Sequence, residues 1–317
     1  MKASRKSLLI ALAIVLATAA ACDGIGKVRF ALRLAKGARY EVSLKADQFV
    51  SQTVMGVAQD VRQAIATDYA VTVEDVDAKG NTTLGFIYER IAVRISSPLG
   101  GMEYDSAAPP ADVPPGLSAY AAIIGKGFAI TVTPDLKISR VTGIDELLAS
   151  ILEPFAALDE QTRQSVEKML REEFGEDAIR QTVEQSFRIY PDGPVGVGEQ
   201  WSRTMRLRAG FPMILETTYT LAARKDGLAT LAVRGAIRSD PESPDLEIGP
   251  MKLRVDLNGA QTGTTQVDEK TGWTMHSEVA QEVTGEMKMA GMPDAPDDSV
   301  APITLRGTIV LEVKKKE

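Results

Sequence analysis

The sequence predicts a mainly β protein of the α+β kind, built from antiparallel curved sheets or half-barrels with a helical insertion near residues 144–187. Three observations predict it. Most of the chain beyond residue 27 alternates apolar and polar side chains with period two, the mark of strands that bury one face. Turn-forming residues separate these runs, as at Lys79-Gly80-Asn81, Pro134-Asp135 and Asp226-Gly227. Between 144 and 187 the apolar spacing changes to i, i+3, i+4, i+7, which belongs to helices.

Taken in order, Val28, Phe30, Leu32 and Leu34 predict a first strand, and Tyr40, Val42, Leu44 and Ala46 a second. From Val57 to Val73 the spacing admits a helix through Val57, Val61, Ile65 and Tyr69. The odd positions nevertheless stay apolar through Val73, so a strand is expected. A turn over Asp75–Asn81 leads into a strand from Leu84 to Ile95 that changes faces near Glu89 and Arg90, as a bulge requires. Residues 97–118 carry five prolines and predict a long loop. Phe128, Ile130 and Val132 form a strand that turns at Pro134-Asp135 into Leu136–Val141.

Ile144, Leu147, Leu148, Ile151, Leu152 and Phe155 share one helical face. Asp159 suits the N-cap of a second helix bearing Val166, Met169, Leu170 and Phe174, which Gly175 stops. A third helix aligns Ile179, Val183 and Phe187. Strands resume after Pro191: Trp201–Leu207, Met213–Leu221, Leu228–Ile237, Met251–Leu257 and Ile303–Val313, with Pro293–Asp298 as loop. The two β-rich parts share an outline, Gly37–Tyr40 matching Gly198–Trp201 and Tyr69 matching Tyr219. Either an internal duplication or the common turn chemistry of antiparallel hairpins accounts for this. The organisation is therefore a segment 1–21, a linker 22–26, an N-terminal β-rich half 27–143, a helical segment 144–190 and a C-terminal β-rich half 191–317.

Composition narrows the function classes. Of 317 residues, 44% are hydrophobic and 25% charged, as in globular domains. The formal charge is −7, and without residues 1–21, which hold Lys2, Arg5 and Lys6, it is −10. A nucleic-acid partner held by phosphate neutralisation is not expected. One Cys and one His exclude a disulfide framework and a Cys/His zinc site.

The N-terminus carries an address. Lys2, Arg5 and Lys6 form a basic start, and Ser7–Ala21 is uncharged and too short to span a bilayer. It ends in Ala19-Ala20-Ala21, which reads as a secretory signal peptide. Cys22, the only cysteine, follows at once. The arrangement resembles a bacterial lipoprotein signal, with Ala19 standing where Leu is usual. The resemblance implies that the Cys22 thiol is lipidated, palmitate-type acyl chains holding the new N-terminus in a membrane. The alternative is a plain signal peptide cleaved at Ala-x-Ala, leaving Cys22 a free thiol. Asp23 follows; in enterobacterial lipoproteins that residue favours the inner membrane.

Chemistry-bearing motifs are few. His276 lies in a strand pattern on the side of Thr274 and Glu278, and every Ser-His-Asp arrangement would depend on it. An exposed strand histidine is expected. No nucleophile elbow, P-loop or dinucleotide fingerprint occurs. Asp75-x-Asp77-x-Lys79-Gly80 is spaced like a calcium loop, but Lys79 and Phe86 stand where oxygen ligands are required, so a hairpin turn is expected. Glu172, Glu173 and Glu176 fall on a polar helical face. Met287, Met289 and Met292 could be packing or a soft-metal trio, and packing is expected. The expectation is no catalytic residue, no metal and no cofactor.

Several segments carry a resemblance over almost the whole chain after the signal: Lys36-Gly37-Ala38-Arg39-Tyr40, Gln52–Gly56, Val73–Gly80, Ile124–Asp135 with Val141-Thr142-Gly143, and Pro191–Trp201. They resemble a family of exported bacterial proteins known only as a domain of unknown function, often lipoproteins. No activity or site residue is implied. The expected role is that of a membrane-anchored, non-enzymatic envelope protein acting through binding or structure, with an envelope protein as a partner. The alternative is a carrier of a lipid or other apolar ligand in a half-barrel, similar in outline to envelope lipoprotein carriers. A continuous apolar cavity favours the carrier. Inner faces filled by Phe30, Phe86, Phe128 and Trp201 favour the structural role.

Overall fold

The first and last strands of the protein pair with each other: β1 (Arg39–Val54) runs antiparallel to β13 (Ser299–Lys316), from Arg39 opposite Lys316 to Gln52 opposite Ile303. That pairing joins the two β-rich parts into one antiparallel sheet, where separate half-barrels were also expected. The computed structural model describes residues 26–316 apart from 55–56, 99, 115–116, 157–158, 188, 208–211, 249–250 and 291–298.

From β1 the N-terminal part continues through β2 (Val57–Val76), β3 (Thr82–Ser97), β4 (Gly100–Asp105), β5 (Gly127–Val132) and β6 (Ile138–Thr142). The C-terminal part contains β7 (Gln200–Leu207), β8 (Met213–Lys225), β9 (Leu228–Ser239), β10 (Leu246–Ile248), β11 (Met251–Asp268) and β12 (Thr274–Ala290). The thirteen strands follow the order β6-β5-β3-β2-β1-β13-β12-β11-β9-β8-β7, with β4 added to β3 and β10 to β11. β6 and β7 end this path and do not pair, so the sheet does not close into a barrel.

The segment 57–73 is strand, and the face change in β3 is a bulge. Asp68 pairs with Arg90 and Tyr69 with Tyr88, leaving Glu89 extra. The Asp75–Asn81 segment is a hairpin turn. Asp77 accepts hydrogen bonds from the backbone N–H groups of Lys79 and Asn81 and from the Asn81 amide, which also lower its pKa. Two expectations fail. Residues 97–118 are not all loop, because β4 pairs with β3 and buries Tyr104. Residues 28–34 are not a strand. They form an extended strap joined by a single bridge, Val28 to Val195, with Arg33 N–H bonded to Thr271 O. Their alternation still reports burial of Val28, Phe30 and Leu34, but no neighbouring strand takes up the backbone.

The helical segment appears where the periodicity places it: α2 (Ile144–Leu152), α3 (Glu160–Phe174) beginning just after Asp159, and α4 (Glu176–Phe187) after Gly175, preceded by the short α1 (Ser118–Ala122). Ile144, Leu147, Leu148 and Ile151 are buried in the main core, and Val166, Leu170, Ile179, Val183 and Phe187 pack on it. Burying each large side chain is worth about 1.5–3 kcal/mol, so these three helices are docked parts of the fold. Among the described residues no helix is long and apolar enough to cross a membrane.

Candidate functional site

Strand register stacks the inward-facing residues in rows across the sheet. One row is Gln63, Gln48, Gly307, Gln281, Gln261, Gly235 and Thr217. Its polar groups meet: Gln281 Nε2 donates to Gln261 Oε1 at 3.2 Å, and Gln261 Nε2 donates to Thr217 Oγ1 at 2.6 Å. Two residues further along, Val50, Leu305, Val283, Ile237 and Leu215 form an apolar row whose members pack into a core of their own. On the other side come Ile309, Val279, Val233 and Tyr219, then Leu44, Leu311, Ser277 and Thr265.

On that second side the sheet lines an open-sided cavity of about 530 Å³. Its N-terminal wall is apolar, from Val42 and Leu44 on β1, Leu84 and Phe86 on β3 and Ile130 on β5. Its opposite wall mixes Leu215, Tyr219 and Val233 with the polar Thr217, Gln261, Thr265, Thr274, Ser277 and Gln281. Thr265 Oγ1 and Ser277 Oγ share a hydrogen bond of 2.9 Å. No Asp, Glu, Lys, Arg or His is among the described lining residues. Burial pushes the Tyr190 hydroxyl up to about 12 and raises Tyr219 as well, so both phenols of the wall are neutral at physiological pH. The Trp273 indole lines the cavity too, stacked on Tyr40 at 5.7 Å between centroids. Its Nε1–H is buried without an acceptor among the described residues.

Helix α4 packs against β6, at one end of the strand path. Val183 and Phe187 face the cavity, as the helical spacing places them. Glu184 accepts the backbone N–H of Ile138 on β6 at 2.8 Å, and Arg180 donates to the carbonyl of the same residue. These two side chains, one turn apart, occupy backbone groups that an end strand leaves without a ladder partner. The chain leaving α4 is held by β7: Trp201 Nε1 donates to Ile189 O at 2.7 Å and Arg203 Nη2 to Tyr190 O at 2.6 Å. Tyr190 Oη donates to Gly272 O at 2.6 Å and its ring stacks on Phe30 of the strap. Strap and hairpin ends thus close one end of the cavity.

A larger concavity of about 750 Å³ lies on the other face of the same strands, where Asp47, Arg62, Arg94, Glu282 and Arg306 alternate with the glutamine row. It carries both signs of charge, with Arg306 paired to Glu282 at 2.9 Å and the Arg62 guanidinium 5.2 Å from the Phe49 ring centroid.

The residues singled out in the sequence fall elsewhere. Cys22 lies outside the described residues. His276 pairs in register with Gln266 and Glu312, and with Glu278 it alternates with the cavity-lining Ser277 and Val279, so it stands on the opposite face. Thr274 does not share that face as expected. The register shifts between Gln266 and Val267, and the bulge turns Thr274 to the cavity. Met287 and Met289 are buried against Ala301, while Met292 lies outside the described residues. Among the described residues no group of three His, Cys, Asp or Glu is placed to hold a metal ion. Of the Glu172, Glu173 and Glu176 group, Glu176 pairs with Arg180.

A model described as a family of unknown function (DUF6263) matches residues 79–274. The chain belongs to this family. The match covers the β3–β11 body, the helical segment and Trp273, so most of the cavity wall of this DUF6263 protein lies within it. No curated protein matches the chain. Among solved structures it is similar to an outer membrane channel from Pseudomonas putida F1, at 9% identity over 89% of this chain and 97% of that one, with a TM-score of 0.25. It is similar to the translocator domain of autotransporter NalP from Neisseria meningitidis at 8% identity over 87% and 89%, TM-score 0.18. OccK7 from Pseudomonas aeruginosa matches at 6% identity over 89% and 100%, TM-score 0.20. Likenesses at these scores say nothing of this chain's activity.

Proposed function

We propose that this DUF6263 protein is a membrane-anchored, non-enzymatic carrier of an apolar ligand in the bacterial envelope. The observation that carries the reading is the cavity of about 530 Å³ between the curved sheet and α4, apolar on one wall and, among the described residues, without charge on the other. Sites of this size and lining are typical for small apolar ligands. A purely structural role expects the inner face to be filled. Here Phe86 stacks on Phe128 at the wall and Trp201 stacks on Tyr219, and space remains between the two halves.

The anchor in this reading is the acylated Cys22. Three residues separate it from Gly26, whose carbonyl accepts a hydrogen bond from Arg224 at the β8–β9 hairpin end. An extended chain covers at most about 3.6 Å per residue, so the strap-closed end of the sheet faces the bilayer and the β1–β2 hairpin points away. Intact-mass analysis of protein extracted from membranes should show loss of residues 1–21 and added acyl mass. An unmodified thiol would remove the anchor from this account. Ligand carriage is tested by native mass spectrometry of the same material: one bound apolar molecule per chain supports the reading, and a bare chain under conditions that retain lipid on a known carrier opposes it.

A further inference from the structure

The chemistry of the cavity wall narrows what it can hold. We infer that the ligand is a single-chain lipid with an uncharged, oxygen-bearing head, of the monoacylglycerol or fatty-ester kind, and not an anionic or a two-chain lipid. The inference rests on the carrier reading and deepens it.

Size comes first. At about 30 Å³ for a group the size of a water molecule, 530 Å³ holds roughly eighteen groups, the sixteen carbons and two ester oxygens of a palmitoyl ester, with a small head left at the open side where Ile309 is exposed. A diacyl phospholipid needs more than about twice that. Charge comes second. A phosphate or carboxylate drawn against a wall that offers no cation among its described residues costs several kcal/mol (about 2–7 even for a neutral polar group left unpaired). The described wall contains no Lys, Arg or His to receive one. The wall is nevertheless not plain hydrocarbon. Thr217, Gln261, Thr265, Ser277 and Gln281 line one side in a hydrogen-bonded band, and hydroxyl and amide groups keep accepting and donating capacity beyond the bonds they make to each other. Such a band would be a needless cost in a site for a pure alkane. Third, the indole N–H of Trp273 is buried in this wall without an acceptor among the described residues. It can only donate, so the group that satisfies it is an acceptor such as an ester carbonyl oxygen.

The test titrates the full chain, extracted in digitonin, whose steroid body and sugars are too bulky for the cavity. Native mass spectrometry reads adducts with 1-monopalmitoylglycerol, with palmitate at pH 9 and with dipalmitoylphosphatidylglycerol. The expected result is a one-to-one adduct with monopalmitoylglycerol that half-saturates at least about tenfold below palmitate, and no stoichiometric adduct with the diacyl lipid. The conservative variant Trp273→Phe keeps the ring against Tyr40 and removes the donor. It should weaken monopalmitoylglycerol about fivefold to tenfold while hexadecane binding stays within about twofold. Palmitate or the diacyl lipid binding as well as monopalmitoylglycerol overturns the inference and leaves the carrier reading standing, as does equal loss of both ligands in Trp273→Phe. Failure of every lipid, hexadecane included, overturns both.

Discussion

Gln261 reaches across a strand to Thr217, donating from Nε2 to Oγ1 at 2.6 Å, and the residue between them in register is Gly235. A Cβ at 235 would sit 3.0 Å from the Gln261 Cγ and Nε2 and 3.0 Å from the Glu216 carbonyl oxygen. The absence of a side chain there is what lets an amide on β11 bond a hydroxyl on β8 within a buried row.

Gly235→Ala is accordingly expected to displace Gln261 and leave buried polar groups partly unpaired. The expected loss is about 1–3 kcal/mol of unfolding free energy, read by denaturant titration. Thr217→Ser, which keeps the acceptor, should cost clearly less. Equal stability of Gly235→Ala and the parent would mean that the row is not held as described.

The helical segment makes a second demand. Leu148 is 1% exposed on the face of α2 that meets the main core. Leu148→Ala should lower stability by about 2–5 kcal/mol through lost burial and the void left behind. Unchanged thermal stability would mean that α2 is not docked on the sheet.

The bonds from α4 to Ile138 make a third. Glu184→Ala and Arg180→Ala should each release one of two bonds to the β6 edge. About 1–2 kcal/mol of local stability is at stake, which hydrogen exchange would show as amides of 179–187 exchanging roughly five to thirty times faster. Exchange elsewhere in the sheet should stay as it was.

Acid stability carries the fourth. The Arg224 guanidinium bonds both oxygens of Glu269, each at 2.7 Å, and its hydrogen bonds hold the Glu269 carboxyl below the usual range, ahead of the opposing effect of burial. A carboxylate whose pKa is depressed by folding contributes stability above its unfolded pKa of about 4.3 and loses it as pH falls through the folded value. Partial exposure of the pair keeps this to the order of 1 kcal/mol. The parent should therefore exceed Glu269→Gln in stability at pH 7, and the gap should close as pH drops below about 4. A gap independent of pH would assign the effect to packing instead.

Much of this architecture was legible because it follows from local patterns. The alternation in Tyr40–Ala46, the Asp226-Gly227 turn and the helical spacing of Ile144–Ile151 each reflect one element's own geometry. The strap at Val28–Leu34 shows the limit, since its alternation reports a buried face and is silent about whether another strand pairs with it. Thr274 shows another, because a one-residue bulge opposite Gln266 and Val267 inverts the face that counting assigns. The cavity was the least legible feature. Its lining residues Leu44 and Gln261 are separated by about 220 positions, and the β1–β13 pairing brings them to one cavity. Inward-facing Leu44, Leu311 and Val233 look the same in sequence whether the space between them is filled or open.

The space between the sheet and α4 is where the proposed apolar molecule would sit, and Ile309 offers a direct probe of it. This side chain lines the cavity yet is 37% exposed, so a larger ring can stand there without displacing buried core. The measurement is a fluorescence titration of the full chain and of Ile309→Trp with an apolar fluorophore. Saturable one-to-one binding by the parent is expected, weakened about tenfold or more in Ile309→Trp with thermal stability kept. Binding that does not saturate, or binding that Ile309→Trp leaves unchanged, would contradict it.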